Sequence, residues 1–177
     1  MSGIRVKICG LTTREGVAAA CREGAAYVGF VFFPRSPRAV TPEMARRLAM
    51  DVTPGVVKVG LFVDPGDETL DAVLDETPLD MIQLHGSESP ARVAAVKARH
   101  GLPVMKALGI RTADDLAAID RYAGAADQLL LDAKPPEGAD RPGGNAEAFD
   151  WDLIAGRRLP LPWMLAGGLT PETVGAA

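Results

Sequence analysis

The sequence predicts an α/β fold built on a parallel sheet, and three features of the chain lead to this prediction. Short apolar runs, typical of strands, alternate with amphipathic stretches, typical of helices, along the whole chain. The apolar runs carry few polar residues, as strands covered on both faces do. Several of the amphipathic stretches open with Thr or Ser next to Pro, a typical helix start. Because no linker interrupts the alternation, we expect a single domain over residues 1–177.

Composition narrows the possible functions. A net charge of −4 argues against a nucleic-acid-binding surface. The longest apolar run, residues 28–33, is too short to cross a bilayer, and the chain opens on a strand pattern rather than a signal segment. Two cysteines, Cys9 and Cys21, suggest neither a disulfide scaffold nor a zinc site and fit a reducing compartment. We therefore expect a cytoplasmic protein that binds neither nucleic acid nor membrane and has no metal site.

The first predicted strand, residues 5–9, ends on a thiol. Strand alternation puts Lys7 and Cys9 on one face and the apolar residues between them on the other. A glycine then allows a turn, and Thr12 with Glu15 forms a predicted capping box that opens a helix. The carboxyl end of a strand is where α/β folds place chemistry, although a free cysteine is more often a small buried residue.

The later elements follow the same pattern. The predicted strands are residues 26–33, 56–63, 81–84, 103–108, 128–133 and 163–168. The predicted helices start near residues 41, 67, 89, 112, 151 and 170. Residues 134–150 have no apolar period and are rich in Pro and Gly, which is typical of a long functional loop. We expect this loop to be mobile without ligand and to fold over the substrate.

Two architectures fit this alternation: an open doubly wound sheet, and a closed (β/α)8 (TIM) barrel whose eighth βα unit is absent from the given chain. The open sheet should carry a G-x-G-x-x-G motif after its first strand, and residues 9–16 lack it. Gly167 and Gly168 instead follow the seventh strand, where barrels frequently bind phosphate. The barrel is therefore favoured. We also expect the natural chain to continue for about 25 to 40 residues, and a chain ending at residue 177 to be unstable and inactive.

In a barrel, the carboxyl ends of the strands meet at one mouth. The candidate residues there are Cys9, Arg35, Arg38, Asp64, Gln83, His85, Asp132, Gly167 and Gly168. Each has an ordinary structural alternative: Asp64 fits a turn, His85 a hydrogen-bonded strand end, and Arg38 a solvated loop charge. A thiol and a carboxyl group across one mouth would suit a base and an acid acting on opposite sides of a small substrate.

Six motifs in order resemble one enzyme family. They are KICG at residues 7–10, GFVFFPRSPR at 29–38, QLHG at 83–86, LLLDA at 129–133, GG followed by FDW at 143–151, and LAGGLTPE at 165–172. Together they resemble phosphoribosylanthranilate isomerase of tryptophan biosynthesis. The resemblance implies a (β/α)8 barrel and an Amadori rearrangement of N-(5-phosphoribosyl)anthranilate. It also implies that neither metal nor cofactor is needed, because the iminium formed from the substrate is the electron sink.

The resemblance also implies residue roles. Cys9 corresponds to the general base and Asp132 to the general acid. Arg38, Gln83, His85, Gly167 and Gly168 are the implied substrate-binding residues. A thiol acts as a base only as the thiolate, which nearby positive charge favours, and Lys7 is a candidate for that charge. The loop after the sixth strand departs from the family, since Asn145 and Ala146 stand where Thr and Gly are common.

Two alternatives remain open at the level of sequence. The chain could be a truncated, non-catalytic barrel fragment that needs a missing C-terminal unit or a partner. It could also be another phosphosugar barrel enzyme. In the favoured interpretation the partner is a small-molecule phosphosugar substrate, and the protein is a monomer or homodimer.

Overall fold

The computed structural model describes residues 3–135, 138, 143 and 148–175. Strands alternate with helices along these residues. The strands are β1 (Lys7–Cys9), β2 (Tyr27–Val31), β3 (Val57–Phe62), β4 (Met81–Leu84), β5 (Val104–Ile110), β6 (Gln128–Ala133) and β7 (Trp163–Leu165). The α-helices are α1 (Arg14–Arg22), α2 (Pro42–Ala49), α3 (Asp67–Glu76) and α4 (Pro90–His100), and two 3₁₀ helices span Ala113–Tyr122 and Trp151–Leu153. Among the residues described, no helix is long and apolar enough to cross a membrane.

The chain packs as two compact units, Met1–Gln83 and Leu84–Ala177. In the first unit β2 pairs in parallel with β1 on one side and β3 on the other, in the order of the sequence. Every residue of β2 is buried, as is typical of a strand paired on both sides within a parallel sheet. The register pairs Cys9 with Gly29, which brings the end of β1 beside a residue without a side chain.

Helix α1 begins one residue later than the capping-box pattern predicts. Thr13, not Thr12, is the N-cap, and its hydroxyl accepts the N–H of Gly16 at 3.1 Å. The predicted cap of α2 is correct, since the Thr41 hydroxyl accepts the N–H of Met44 at 3.1 Å and a proline follows it. These caps fix where each helix leaves the loop that follows the preceding strand.

In the second unit β5, β6 and β7 also pair in parallel and in chain order. β6 is buried throughout, and Asp132 lies opposite Gly109 near its carboxyl end. β5 continues through this glycine to Ile110, two residues beyond its predicted end. A Cβ atom at Gly109 would lie 3.2 Å from the Cα atom of Lys134, a tight contact, so glycine favours the close approach of the two strand ends.

Two further elements differ from their usual or predicted form. The helix after β5 opens with the predicted capping box between Thr112 and Asp115, but it is a 3₁₀ helix rather than the α-helix usual after a parallel strand. Residues 171–175 form turns rather than the start of a final helix. The single-domain organisation stays a prediction.

Candidate active site

The thiol of Cys9 lies where β1 turns into the loop before α1. The N–H groups of Gly10 and Leu11 both donate to the carbonyl of Gly29, at 2.9 and 3.1 Å. Gly10 has a φ of 82°, a left-handed conformation that favours glycine. The turn therefore ends the strand directly after Cys9 and holds its backbone against β2.

Gly29 of β2 makes room for two side chains of β1. A Cβ atom at Gly29 would lie 2.8 Å from Sγ of Cys9 and 3.3 Å from Nζ of Lys7. The thiol and the ammonium group therefore share one face of β1 and both pass over the bare backbone of β2, as the alternation predicts. The end of β1 therefore presents a thiol and a cationic side chain on one face.

Arg38 lies over the turn that follows Cys9. Its Nη1 donates to the Cys9 carbonyl at 2.9 Å, and a Cβ atom at Gly10 would lie 2.6 Å from the Arg38 Cδ atom. Arg38 is nevertheless exposed, so its guanidinium is anchored at the strand end and accessible from solvent. A guanidinium held in this way can bind a carboxylate or a phosphate. In contrast, Asp64 has a φ of 45°, which supports its interpretation as a turn residue.

Asp132 and His85 form a second group, in the second unit. Nε2 of His85 lies 3.4 Å from Oδ2 of Asp132, and both side chains are about nine-tenths buried, with exposures of 11% and 10%. The other carboxylate oxygen, Oδ1, accepts the N–H of Ala133 at 2.9 Å. The carboxyl group is therefore fixed through one oxygen, while its second oxygen is turned toward the imidazole.

A glycine of the loop after β6 lies against this pair. A Cβ atom at Gly143 would lie 2.7 Å from Cε1 of His85 and 2.8 Å from Oδ2 of Asp132. No side chain fits at this position, so the loop backbone lies directly on the acid and the imidazole. Sequence reasoning did not identify Gly143 as a site residue. The signal was available in the paired glycines of a loop that follows an acidic strand end.

Gly167 and Gly168 follow β7 in consecutive left-handed conformations, with φ values of 83° and 66°. A Cβ atom at Gly168 would lie 2.5 Å from Cβ of Ala148, so this glycine also allows a close approach. The Thr173 hydroxyl donates to the Gly168 carbonyl at 3.1 Å and holds the turn in place. Successive backbone N–H groups in such a turn can bind an anion.

The candidate residues therefore divide between the two units. Cys9, Arg38 and the fully buried Gln83 belong to the first, and His85, Asp132 and the glycine pair belong to the second. That all of them line one mouth stays a prediction. Among the described residues, no group of three or more His, Cys, Asp or Glu side chains is arranged to hold a metal ion. Most of the loop 134–150, predicted to be mobile, lies outside the described residues.

Comparison with known sequences gives consistent matches. The profile of a family described as N-(5'phosphoribosyl)anthranilate (PRA) isomerase matches residues 6–177. A protein of Paracoccus denitrificans is 64% identical over 171 residues, which are 97% of this chain and 80% of the relative. One of Cereibacter sphaeroides is 60% identical over 177 residues, which are 100% of this chain and 84% of the relative. Both are named N-(5'-phosphoribosyl)anthranilate isomerase.

Solved structures agree with the sequence matches. The phosphoribosyl anthranilate isomerase of Thermotoga maritima matches with a TM-score of 0.85 and 36% identity, covering 98% of this chain and 82% of the other. A phosphoribosyl anthranilate isomerase in complex with reduced 1-(o-carboxyphenylamino)-1-deoxyribulose 5-phosphate matches with a TM-score of 0.82 and 34% identity. This match covers 98% of this chain and 80% of the other. The predicted fold class, a (β/α)8 barrel whose eighth βα unit is absent from the given chain, is confirmed by this similarity.

Proposed function

Because the chain belongs to the N-(5'-phosphoribosyl)anthranilate isomerase family of tryptophan biosynthesis, we propose that Cys9 is the general base and Asp132 the general acid of its reaction. The enzyme converts N-(5-phosphoribosyl)anthranilate into 1-(2-carboxyphenylamino)-1-deoxyribulose 5-phosphate by an Amadori rearrangement. The chemistry needs one group that gives a proton to oxygen and one that takes a proton from carbon.

The proposed sequence of steps balances without a cofactor. The Asp132 carboxyl group protonates the ring oxygen, the bond from that oxygen to C1 breaks, and the nitrogen lone pair forms the Schiff base. The Cys9 thiolate then removes the C2 proton, and the electrons of the C–H bond move toward the iminium to give the enolamine. Tautomerisation then adds a proton at C1 while the C2 hydroxyl loses its proton, which leaves a ketone at C2. The proton that Cys9 has gained equals the one that Asp132 has lost, so exchange with solvent restores both groups. No atom is gained or lost overall.

The main observation that supports this assignment is that the Asp132 carboxyl group is nearly buried and held in one orientation. Ala133 holds one oxygen through its N–H at 2.9 Å, and the other lies 3.4 Å from the His85 imidazole. A carboxyl group that is nearly enclosed and fixed in orientation can deliver a proton to one defined atom of a bound substrate. The imidazole beside Oδ2 suits a role in binding the same part of the substrate.

The proposed base is supported by the packing at Gly29. Both Cys9 and Lys7 pass over this glycine, so the thiol that would take the proton lies on the same face of β1 as a cationic side chain. Arg38, anchored on the Cys9 carbonyl, suits an anionic group of the substrate. The backbone N–H groups near Gly167 and Gly168 suit its phosphate.

Turnover of phosphoribosylanthranilate by Cys9→Ser and Asp132→Asn tests the roles. Each variant should lose about 10² to 10⁴ in kcat, because a hydroxyl is a poor base and an amide is far too weak an acid to protonate the ring oxygen. Cys21→Ser and Asp114→Asn are matched controls that should keep wild-type kcat. Near-full turnover by either test variant at saturating substrate would refute its assigned role. Wild-type turnover itself excludes the non-catalytic fragment.

The substrate is thus a small phosphosugar, and we propose that the protein acts as a monomer or homodimer in the cytoplasm. One solved relative from Thermotoga maritima is described as a monomer generated from a dimeric enzyme, so both states exist among similar proteins. Cys9 and Cys21 are free thiols, which suits a reducing compartment. Sedimentation equilibrium and cell fractionation test these two statements.

A further inference from the structure

A buried ion pair contacts the residues on either side of His85 and takes no part in the proposed steps. Nζ of Lys106, on β5, is 2.7 Å from Oε2 of Glu88, in the loop after β4. The side chains are only 1% and 2% exposed. Burying two charges in this way carries a desolvation cost that the attraction between them often only balances. The pair therefore calls for an explanation other than stability.

Both members of the pair hold the same peptide segment. The N–H of Gly86 donates to both carboxylate oxygens of Glu88, at 3.1 and 3.0 Å. Nζ of Lys106 donates to the Gly86 carbonyl at 2.7 Å and lies 3.4 Å from the Leu84 carbonyl. Together with the Glu88 contact, these carbonyls give the three donors of the ammonium group three acceptors.

His85 lies between the two residues held by the ammonium group. Its backbone is therefore fixed on both sides, at Leu84 and at Gly86, and its ring is the group that faces Oδ2 of Asp132 at 3.4 Å. Displacing the Gly86 peptide would turn or shift this ring relative to the carboxyl group. The ion pair and the proposed acid are thus connected through one residue.

A tyrosine of the 3₁₀ helix Ala113–Tyr122 completes the cluster. The Tyr122 hydroxyl donates to the Glu88 carbonyl at 2.9 Å, and its ring centroid lies 5.9 Å from Nζ of Lys106. Burial raises the pKa of the Tyr122 phenol, as does the charge of Glu88, while Arg121 opposes the shift. The phenol therefore stays a hydrogen-bond donor at neutral pH.

We propose that Lys106 and Glu88 are positioning residues that hold the backbone of His85 and thereby set its imidazole against the Asp132 carboxyl group. The proposal rests on the proposed function of that carboxyl group. A pair that served only the stability of the fold would change the amount of folded protein. A positioning pair also changes the turnover of the protein that is folded, and it does so through His85.

A double-mutant cycle tests this connection. Glu88→Gln keeps the shape of the side chain and an acceptor for Gly86 but removes the charge facing Lys106. In the wild-type background we expect kcat to fall by about tenfold to a hundredfold, because small misplacements of reacting groups have effects of this size. In a His85→Ala background the same change should lower kcat less than about twofold. Glu76→Gln, an exposed residue of α3, is the matched control.

Proton NMR supplies a readout that does not depend on activity. The chain has 2 histidines, and His85→Ala assigns their ring signals. In Glu88→Gln the Hε1 signal of His85 should move at constant pH, while that of His100 should not. If wild type fails to turn over phosphoribosylanthranilate but the His85 signal still moves, the proposed function fails and the positioning role stands.

Several results would overturn the inference. Glu88→Gln could lower kcat equally in the wild-type and His85→Ala backgrounds, or it could leave kcat unchanged in both. The His85 signal could also stay unchanged in a folded Glu88→Gln variant. If that variant does not fold, Tyr122→Phe replaces it, because it removes only the hydrogen bond to the Glu88 carbonyl and keeps both charges. A smaller, His85-dependent loss of kcat is then expected, and an unchanged kcat would refute the proposal.

Discussion

Gly143→Ala is the sharpest test of the geometry around Asp132. The new methyl group would lie 2.7 Å from Cε1 and 2.9 Å from Nε2 of His85, and 2.8 Å from Oδ2 of Asp132. Unstrained contacts between such atoms are about 3.5 to 4.0 Å. Either the imidazole and the carboxyl group or the loop backbone must therefore move by about 1 Å. A displacement of this size at reacting groups lowers turnover by about 10²-fold.

Steady-state kinetics with phosphoribosylanthranilate measure this effect. We expect kcat to fall about 10²-fold. The midpoint of thermal unfolding should change little, because Gly143 is only half-buried and the new methyl group would meet His85 and Asp132 rather than apolar core side chains. Gly124→Ala is the matched control, since a Cβ atom there meets nothing within 4 Å. A Gly143→Ala enzyme with wild-type kcat would show that the loop does not lie on the acid during turnover.

Two further changes probe other parts of the chain. Gly29→Ala should lower kcat, because its methyl group would lie 2.8 Å from Sγ of Cys9. Gly66→Ala is the control and should keep wild-type kcat, since a Cβ atom there meets nothing within 4 Å. Equal kcat values for the two variants would contradict this prediction. Burial raises the pKa of Asp115, but the hydrogen bonds that its carboxylate accepts from the Thr112 N–H, from Lys134 and from the Arg111 N–H, together with the charge of Lys134, lower it further, so this pKa lies below its usual value. Asp115→Asn should therefore be less stable by about 1 kcal/mol at pH 7. Urea unfolding measures the difference in unfolding free energy between wild type and Asp115→Asn. This difference should persist at pH values above the unfolded-state pKa of about 3.9 and disappear as the pH falls through the lower folded-state pKa. A difference that does not depend on pH would refute the role of the Asp115 charge.

The fold was largely predictable because polar or turn-forming residues mark where its apolar strands begin and end. β4 and β6 have their predicted bounds, since each is an apolar run flanked by polar or turn-forming residues. The start of α1 was missed because two threonines stand in succession, and only the backbone shows which hydroxyl reaches an N–H group. The stretch Ala113–Tyr122 was predicted only as a helix, because periods of 3.0 and 3.6 residues differ little over three turns.

The candidate site was predictable only in part. Cys9 and Asp132 were predicted as candidates because parallel sheets carry chemistry at the carboxyl ends of their strands, and they lie at or near the ends of β1 and β6, while their roles stay a prediction. Lys106 and Glu88 were missed, since neither lies at the end of a strand and their pairing joins residues that are distant in the sequence. The signal was a lysine within an otherwise apolar strand. A charge at such a position needs a buried partner, and only coordinates identify it.

Glycines, rather than polar residues, determine much of the position of the candidate functional side chains. Gly10 lies under Arg38, Gly29 under the thiol and ammonium groups of β1, and Gly143 against the imidazole and carboxyl groups. At each position a Cβ atom would come within 3.0 Å of a functional side chain, so the absence of a side chain determines where that functional group lies. Gly60 obeys the same steric rule against Leu79 and Phe62, but there the neighbours are apolar and the close approach serves packing. The chemistry of the contacted atoms, rather than the glycine itself, therefore distinguishes a glycine of the site from one of the core.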